Sequence, residues 1–531
     1  MAAAVPVPPE TPSPPSPSQP PADPPSPSQP PASQPPASQP SADEVVARST
    51  RGAAATALVG LLGRGAGLLT TLLVTHFLSK AEYGRANLAL ILATLTNVIT
   101  LISPQQALLT RRERFREAAR LVHGWAVWSG LLVAALLFAG GPLLLGALHE
   151  PSALGLLRLY CVSLILERLT LVPTLALRYE LRFPAVARLD LFGDTAYVVV
   201  TVGAALAGSG ALCLPLGMIA RHAVRLLLLG GPLRYPPPRP SRLTEQRELL
   251  GQVLSYSWPV HLSALCEVVT LYMDNVVVGQ TYSAAAQGLY AVAYTLVMTP
   301  CETIAMYGAT AMVRALGLPD KARRQHTYLQ GLRYVSLLLF PIAAGVALVG
   351  GSFEAALLPP RWHGVAQVLL GLAAGAMALG VHRMAFAQLT ALHRPRLAAV
   401  VYVAQVSTFL LGLFLVVRLD TSRQHLPAVA WAVSCAFTLA AGLGLLMSMR
   451  ADQLPLRAVA AAFGPPVLGT AVMALGVLLV QRGLVRLGPV SAATALSAEI
   501  AAGVLLYAGY LRLFHRELWG ETLTVLRRRS E

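Results

Sequence analysis

Charge is what this chain has least of. Of its 531 residues 12% are Asp, Glu, Lys or Arg and 55% are hydrophobic, against roughly 25% charged in ordinary soluble domains. That imbalance, with a mean hydropathy of +0.59, excludes a string of soluble domains and implies a polytopic membrane protein. Lysine is scarcer still: only Lys80 and Lys321 occur among 41 basic residues. Neither follows a glycine, so no phosphate-cradling Gly-x-x-x-x-Gly-Lys-Ser/Thr loop exists, and ATP-driven work by this chain alone is disfavoured. The five cysteines (Cys161, Cys213, Cys266, Cys301, Cys435) are scattered through apolar segments with no Cys-x-x-Cys or Cys/His spacing. They predict neither a disulfide framework nor zinc and read as small packing residues. The N-terminus lacks the basic and apolar regions of a cleavable signal, so the first spanning helix is expected to act as its own insertion signal.

What is present begins with proline. Seventeen of the first 40 residues are proline, and Ser-Gln-Pro-Pro-Ala recurs at Ser18, Ser28 and Ser33. Residues 1–47 therefore read as a disordered, partly polyproline-II tail, serving as a solvated extension or as a dock for a proline-binding partner.

Fourteen apolar stretches follow, each near the ~20 residues that cross a bilayer. The first is at about 53–78, the third at 122–146, the seventh at 252–279, the ninth at 334–350 and the last at 490–511. Arginines gather in every second connection and in both tails: 28 basic residues on that side against seven on the other. The alternation satisfies the positive-inside rule and predicts both termini in the cytoplasm. The loops on the opposite side are short and leave no room for a catalytic domain there, so the chain does not read as an enzyme. No metal or other cofactor is expected, and the net charge of +16 is carried mostly by these loops rather than by a nucleic-acid surface.

Two stretches echo each other 204 residues apart. Ser79, Ala81, Gly84, Ala89 and Leu92 match Ser283, Ala285, Gly288, Ala293 and Leu296 in register. Six spans separate the copies, so both insert with the same orientation, as a parallel repeat. The expected fold is all-α, with two six-helix bundles at 48–233 and 251–450 and a cytoplasmic linker at 234–250. Helices 13–14 are appended at 451–512, followed by a basic cytoplasmic tail at 513–531. The echo then marks corresponding corners of the two bundles. Gly63-x-x-x-Gly67 in the first span fits close helix packing.

A charge at the bilayer centre costs about 2.5–3.5 kcal/mol on insertion scales, so charges inside spans face a cavity or a partner. Arg64 lies in the first span, Glu267 mid-way along the seventh, with Asp274 and Asn275 toward its outer end. Glu302 follows Pro300 in the eighth. Arg64, Asp274 and Asn275 are the expected substrate-binding residues, since a guanidinium holds a diphosphate or acidic sugar bidentately. Glu267, Glu302 and Asp190 are the expected ion-coupling residues. Asp190 and Asp194, one turn apart, can instead pair with Arg188, Arg221 or Arg225. Glu167 and Arg168 point in different directions around their helix and are expected to pair with neighbours rather than each other. Glu499 reads as structural, and His382-Arg383 as an interfacial anchor.

Three stretches carry a resemblance. They are Thr75–Gly84 (THFLSKAEYG), Leu177–Phe183 (LRYELRF), and Met273–Gly279 running on through Gly288–Ala293. In order and spacing they resemble the polysaccharide (Wzx-like) flippases of the multidrug/oligosaccharidyl-lipid/polysaccharide exporter superfamily, over residues 50–450. His76 stands where that family usually has arginine. The resemblance implies export of polyprenyl-diphosphate-linked oligosaccharide units across the bacterial inner membrane for surface polysaccharide. It implies alternating access coupled to an ion gradient, with lipid-linked oligosaccharide, membrane lipids, and polymerase and chain-length proteins as partners. A drug/cation antiporter of the same superfamily and a peptidoglycan-precursor flippase are the competing readings.

Overall fold

The computed structural model describes residues 60, 62–100, 115–180, 182–231, 247–316, 320–420, 425–488, 490–517 and 520. The expected tail at 1–47, residues 234–246 of the linker and most of the basic tail lie outside them. Among the described residues there are fourteen helices and no strand. They are α1 (Leu62–Thr75), α2 (Lys80–Thr100), α3 (Phe115–Ala147), α4 (Leu154–Tyr179), α5 (Phe183–Leu206), α6 (Cys213–Gly230) and α7 (Arg247–Thr281). After these come α8 (Ala284–Leu316), α9 (Lys321–Leu357), α10 (Val365–Ala391), α11 (Pro395–Leu419), α12 (Leu426–Asp452), α13 (Leu456–Leu487) and α14 (Ala492–Phe514).

Lipid offers the backbone no hydrogen-bond partner, so an apolar run must satisfy its own amides, and a helix does this within one segment. Local signals set the ends. Asp320 caps α9 by accepting from the Ala322 amide at 3.0 Å, and Ser491 caps α14 by accepting from Thr494 at 3.1 Å. Prolines sit in the first turn of α5, α11 and α12, where a missing N–H costs nothing. Several helices outrun their apolar stretch. The ninth, expected at 334–350, is α9, with 37 residues. At ~1.5 Å per residue it exceeds a ~30 Å hydrocarbon core by several turns. Likewise α7 starts at Arg247, inside the expected linker.

Eleven of the described helices are long and apolar enough to cross a membrane. The chain is thus a multi-pass membrane protein. The other three are α1, α2 and α7. The last two are interrupted by charged and amide side chains, among them Arg85, Asn87, Glu267, Asp274 and Asn275. Outward faces are apolar: Leu505, Val504 and Leu479 are all well exposed on α13 and α14, as lipid-facing side chains are.

Neighbour relations repeat at an offset of six helices. In the first set α2 packs on α3 and α4, α4 on α3 and α6, and α6 on α5; in the second α8 packs on α9 and α10, α10 on α9 and α12, and α12 on α11. The pair α7 and α11 is matched by α1 and α5, where Gly63 lies against the Asp194 carboxylate. α13 and α14 pack on each other and on α9.

The two sets meet chiefly where α2 packs on α8 and α7. Here the sequence echo finds its meaning. A Cβ at Gly84 would overlap the carbonyl oxygen of Ala284, and one at Gly288 that of Lys80. The echoed glycines, at corresponding places in the two sets, thus face each other in one reciprocal contact. Gly67, in contrast, has nothing within 4 Å of its Cβ position, so Gly63 alone of that pair makes a close approach.

Candidate functional site

Behind the glycine contact, α2, α7 and α8 enclose a cavity of about 150 Å³ bordered by Asn87, Tyr272, Asn275, Tyr294, Thr299 and Glu302 among others. Asn275 does not stand alone. The neighbouring Asp274 has no exposed surface. One of its oxygens accepts from the Tyr290 hydroxyl at 2.7 Å. The other accepts from the Asn275 amide N–H at 2.7 Å and the Asn275 side chain at 3.0 Å. The Asn275 oxygen then accepts from Asn87 at 3.3 Å, which ties α7 to α2 across the seam. Asp274 therefore holds Asn275 in place, and Asn275 is the one of the two that borders the space.

The ionic residues of α7 and α8 share one arginine. Arg383 of α10 pairs closely with Glu267 and lies 3.8 Å from Glu302. The Arg383 side chain is only 15% exposed. It is a buried ion-pair partner and not the interfacial anchor its position in the sequence suggested. Arg64, half-buried on α1, lies within electrostatic range of Glu302. The void beside Glu267 and Arg383 is about 10 Å³, the room of a single water by the ~10–15 Å³ threshold.

A second group sits among α2, α4, α5 and α6. Arg225 reaches Asp190 at 2.9 Å and Asp194 at 3.4 Å, and Arg221 also pairs with Asp194. Of the partners the sequence offered, Asp194 thus takes two and Asp190 one. The cavity in front of these arginines, about 280 Å³, is bordered by Glu167. Arg168 turns the other way: it is buried with its stem against Gly130, and it donates to the Asn97 carbonyl at 3.1 Å.

At the Gly84/Gly288 end a loop of the second set reaches over to the first. Arg361 donates to the carbonyls of Thr75 and His76, and the Trp362 indole donates to Thr75 at 2.9 Å. Lys80 donates to the His363 carbonyl at 3.0 Å, and the Tyr83 and Trp362 rings meet edge-on. Glu354 braces this loop by accepting from the Gly364 and Ala366 amides at 3.1 and 2.7 Å. At this corner, where the sequence has His76, Arg361 from the opposite side thus adds a guanidinium beside Lys80. Sequence reading missed this strap, because nothing in a short loop announces a partner 285 residues away. Glu499 lies far from these groups and accepts from Ser352 at 2.7 Å, joining α14 to α9. Cys435 is exposed on α12, so it does not share the packing role of the buried cysteines.

Solved structures show the same arrangement of helices. A lipid II flippase, MurJ, in an inward closed conformation superposes with a TM-score of 0.66 at 13% identity, covering 87% of this chain and 99% of its own. An inward-facing multidrug resistance MATE family transporter of the MOP superfamily gives 0.58 at 16% identity, covering 73% and 94%. A transporter of that superfamily from Pyrococcus furiosus gives 0.52 at 14% identity, covering 76% and 96%. No curated protein matches in sequence. The fold is the one seen in these solved flippase and transporter structures. Residues 73–367, more than half of the chain, match the family described as polysaccharide biosynthesis protein, and the chain belongs to that family.

Proposed function

We propose that the protein is a flippase that moves polyprenyl-diphosphate-linked oligosaccharide repeat units across the bacterial inner membrane for surface polysaccharide. It works by alternating access coupled to an ion gradient. One observation carries this reading: the two helix sets touch through a glycine pair at one end and leave a polar cavity behind that contact. Two bundles, at 48–233 and 251–450, rocking about that contact would open the cavity to each side in turn. The family membership and the fold of lipid and drug transporters support it. The loop charges assign the Gly84/Gly288 end to the outer side and both termini to the cytoplasm.

In this reading the sugars cross along the seam while the lipid tail stays in the bilayer. Arg64 meets the diphosphate and Asn275 the sugar hydroxyls, with Asp274 acting through Asn275. Glu267 and Glu302 share Arg383, so a proton or sodium ion neutralising one carboxylate transfers the arginine to the other. Asp190 with Arg225 provides a second ionic pair of this kind. Polymerase and chain-length proteins of the pathway are the expected partners. Transport of a peptidoglycan precursor is the second reading, favoured by the likeness to a lipid II flippase over nearly all of that chain.

Deleting the gene should leave lipid-linked repeat units facing the cytoplasm and no surface polymer. Normal polymer in a strain without a redundant flippase would sink the proposal. Arg64→Ala should lower export with membrane protein level unchanged, and unimpaired export would remove Arg64 from the site.

A further inference from the structure

The two appended helices grip α9 at several levels. The Tyr507 hydroxyl of α14 donates to the Leu337 carbonyl at 2.7 Å. The Phe463 ring of α13 stacks on Phe340, with centroids 6.1 Å apart and planes 5° from parallel. Gln481 of α13 donates to the Leu348 carbonyl at 2.9 Å, and Ser352 donates to Glu499 of α14 at 2.7 Å. These contacts lie on both sides of Pro341, which sits inside α9.

That proline gives the contacts their meaning. A proline in a helix interior has no N–H for the carbonyl four residues back, and its ring crowds that carbonyl. Four residues before Pro341 is Leu337, whose carbonyl is the one Tyr507 meets. Leu337 is buried, and hydrocarbon holds no water to replace the lost donor. A hydroxyl from another helix thus supplies what the proline removed. A helix that has lost a ladder bond is a joint, the usual place of a kink. The two stretches that meet at this joint have separate attachments. On the N-terminal side, Arg324 pairs with Asp452 at the end of α12 at 2.6 Å. On the C-terminal side, Glu354 accepts from the Gly364 and Ala366 amides and so braces the strap loop. The set of α9 at Pro341 therefore fixes where the strap stands relative to the rest of its own helix set.

We propose that α13 and α14 splint α9 across Pro341, with Tyr507 as the positioning residue, and thereby govern how readily the strap releases the first helix set. Its bearing on export rests on the flippase reading; the splint itself does not.

The test is a double-mutant cycle on the full-length protein. Tyr507→Phe deletes one hydroxyl and keeps the ring. It should lower the unfolding midpoint of the purified protein by about 1–2 °C. In intact cells carrying Asn87→Cys, it should also raise severalfold the rate of reaction with a membrane-impermeant maleimide, because a looser strap opens the seam more often. Pro341→Ala restores the N–H that the Leu337 carbonyl lacks, so in that background Tyr507→Phe should change neither reading. Equal increments in the two backgrounds overturn the proposal, as does an unchanged labelling rate in Tyr507→Phe alone. Tyr510→Phe is the control, since the Tyr510 hydroxyl meets His515 at the end of its own helix and not α9. An effect of Tyr510→Phe as large as that of Tyr507→Phe also overturns it. Should Pro341→Ala fail to fold, the contrast between these two tyrosine variants decides. An additive cycle, with unflipped lipid-linked units accumulating in the deletion strain, leaves the flippase reading standing without the splint. A coupled cycle with normal surface polymer in that strain does the reverse.

Discussion

A carboxylate with no exposed surface that accepts from a tyrosine and an asparagine is held as firmly as a side chain can be. Asp274 is such a group, and its position in the expected substrate set hides a division of labour with Asn275. Asp274→Ala strands the Tyr290 hydroxyl and two Asn275 N–H groups. An unsatisfied buried polar group costs about 1–3 kcal/mol, so the variant should lose thermal stability clearly, with Asp274→Asn falling between. Asn275→Ala, at the cavity wall, leaves Asp274 its bonds from Tyr290 and the backbone N–H, so it should lose less stability than Asp274→Ala and lose export. Unfolding scans alongside an export assay separate the two roles; equal stability losses in both variants would erase the distinction. Arg383 poses the same question for the ionic residues. Arg383→Gln leaves Glu267 and Glu302 facing each other without the arginine they share, and should abolish dependence of export on the ion gradient. Persistence of that dependence would take this trio out of the coupling.

Among elements, the contact between α2 and α8 is the least tolerant of added bulk. Gly288→Val puts a branched side chain into the Lys80 carbonyl, where backbone cannot yield. It should lower both the unfolding midpoint and export. Gly65 serves as control, since nothing lies within 4 Å of its Cβ position. Gly65→Ala should be neutral or stabilise by up to ~1 kcal/mol, the helix-propensity difference. An unaltered Gly288→Val protein would mean that the two helices do not meet this way. The elements themselves were largely legible in the sequence, because each apolar run is long, separate and bounded by charge. Their ends were not, because α9 continues through polar Lys321–Arg333 once a cap and backbone hydrogen bonds sustain it. Glu267, Glu302 and Asp190 stood out as charges in apolar context. The arginine that Glu267 and Glu302 share did not, since Arg383 and Glu267 lie 116 residues apart and only folding brings them together.

On the scale of the whole molecule, the strap from α9–α10 to the α1–α2 turn bridges the two sets at one end. Arg361→Ala with Trp362→Phe removes three hydrogen bonds between the two sets. Opening at that end should become more frequent. A cysteine introduced by Asn87→Cys should then react severalfold faster with a membrane-impermeant maleimide added to intact cells; an unchanged rate would show that the strap does not limit opening. The glycine contact beneath the strap has a different kind of consequence. Gly84 meets the carbonyl at position 284 while Gly288 meets the carbonyl at position 80, and each of those lies four residues before its own glycine. That is the isologous pattern a two-fold axis imposes on identical subunits. A homodimer of a six-helix ancestor would have made both halves of this contact with one glycine codon. In one continuous chain that single requirement becomes two, each glycine held by the carbonyl it faces.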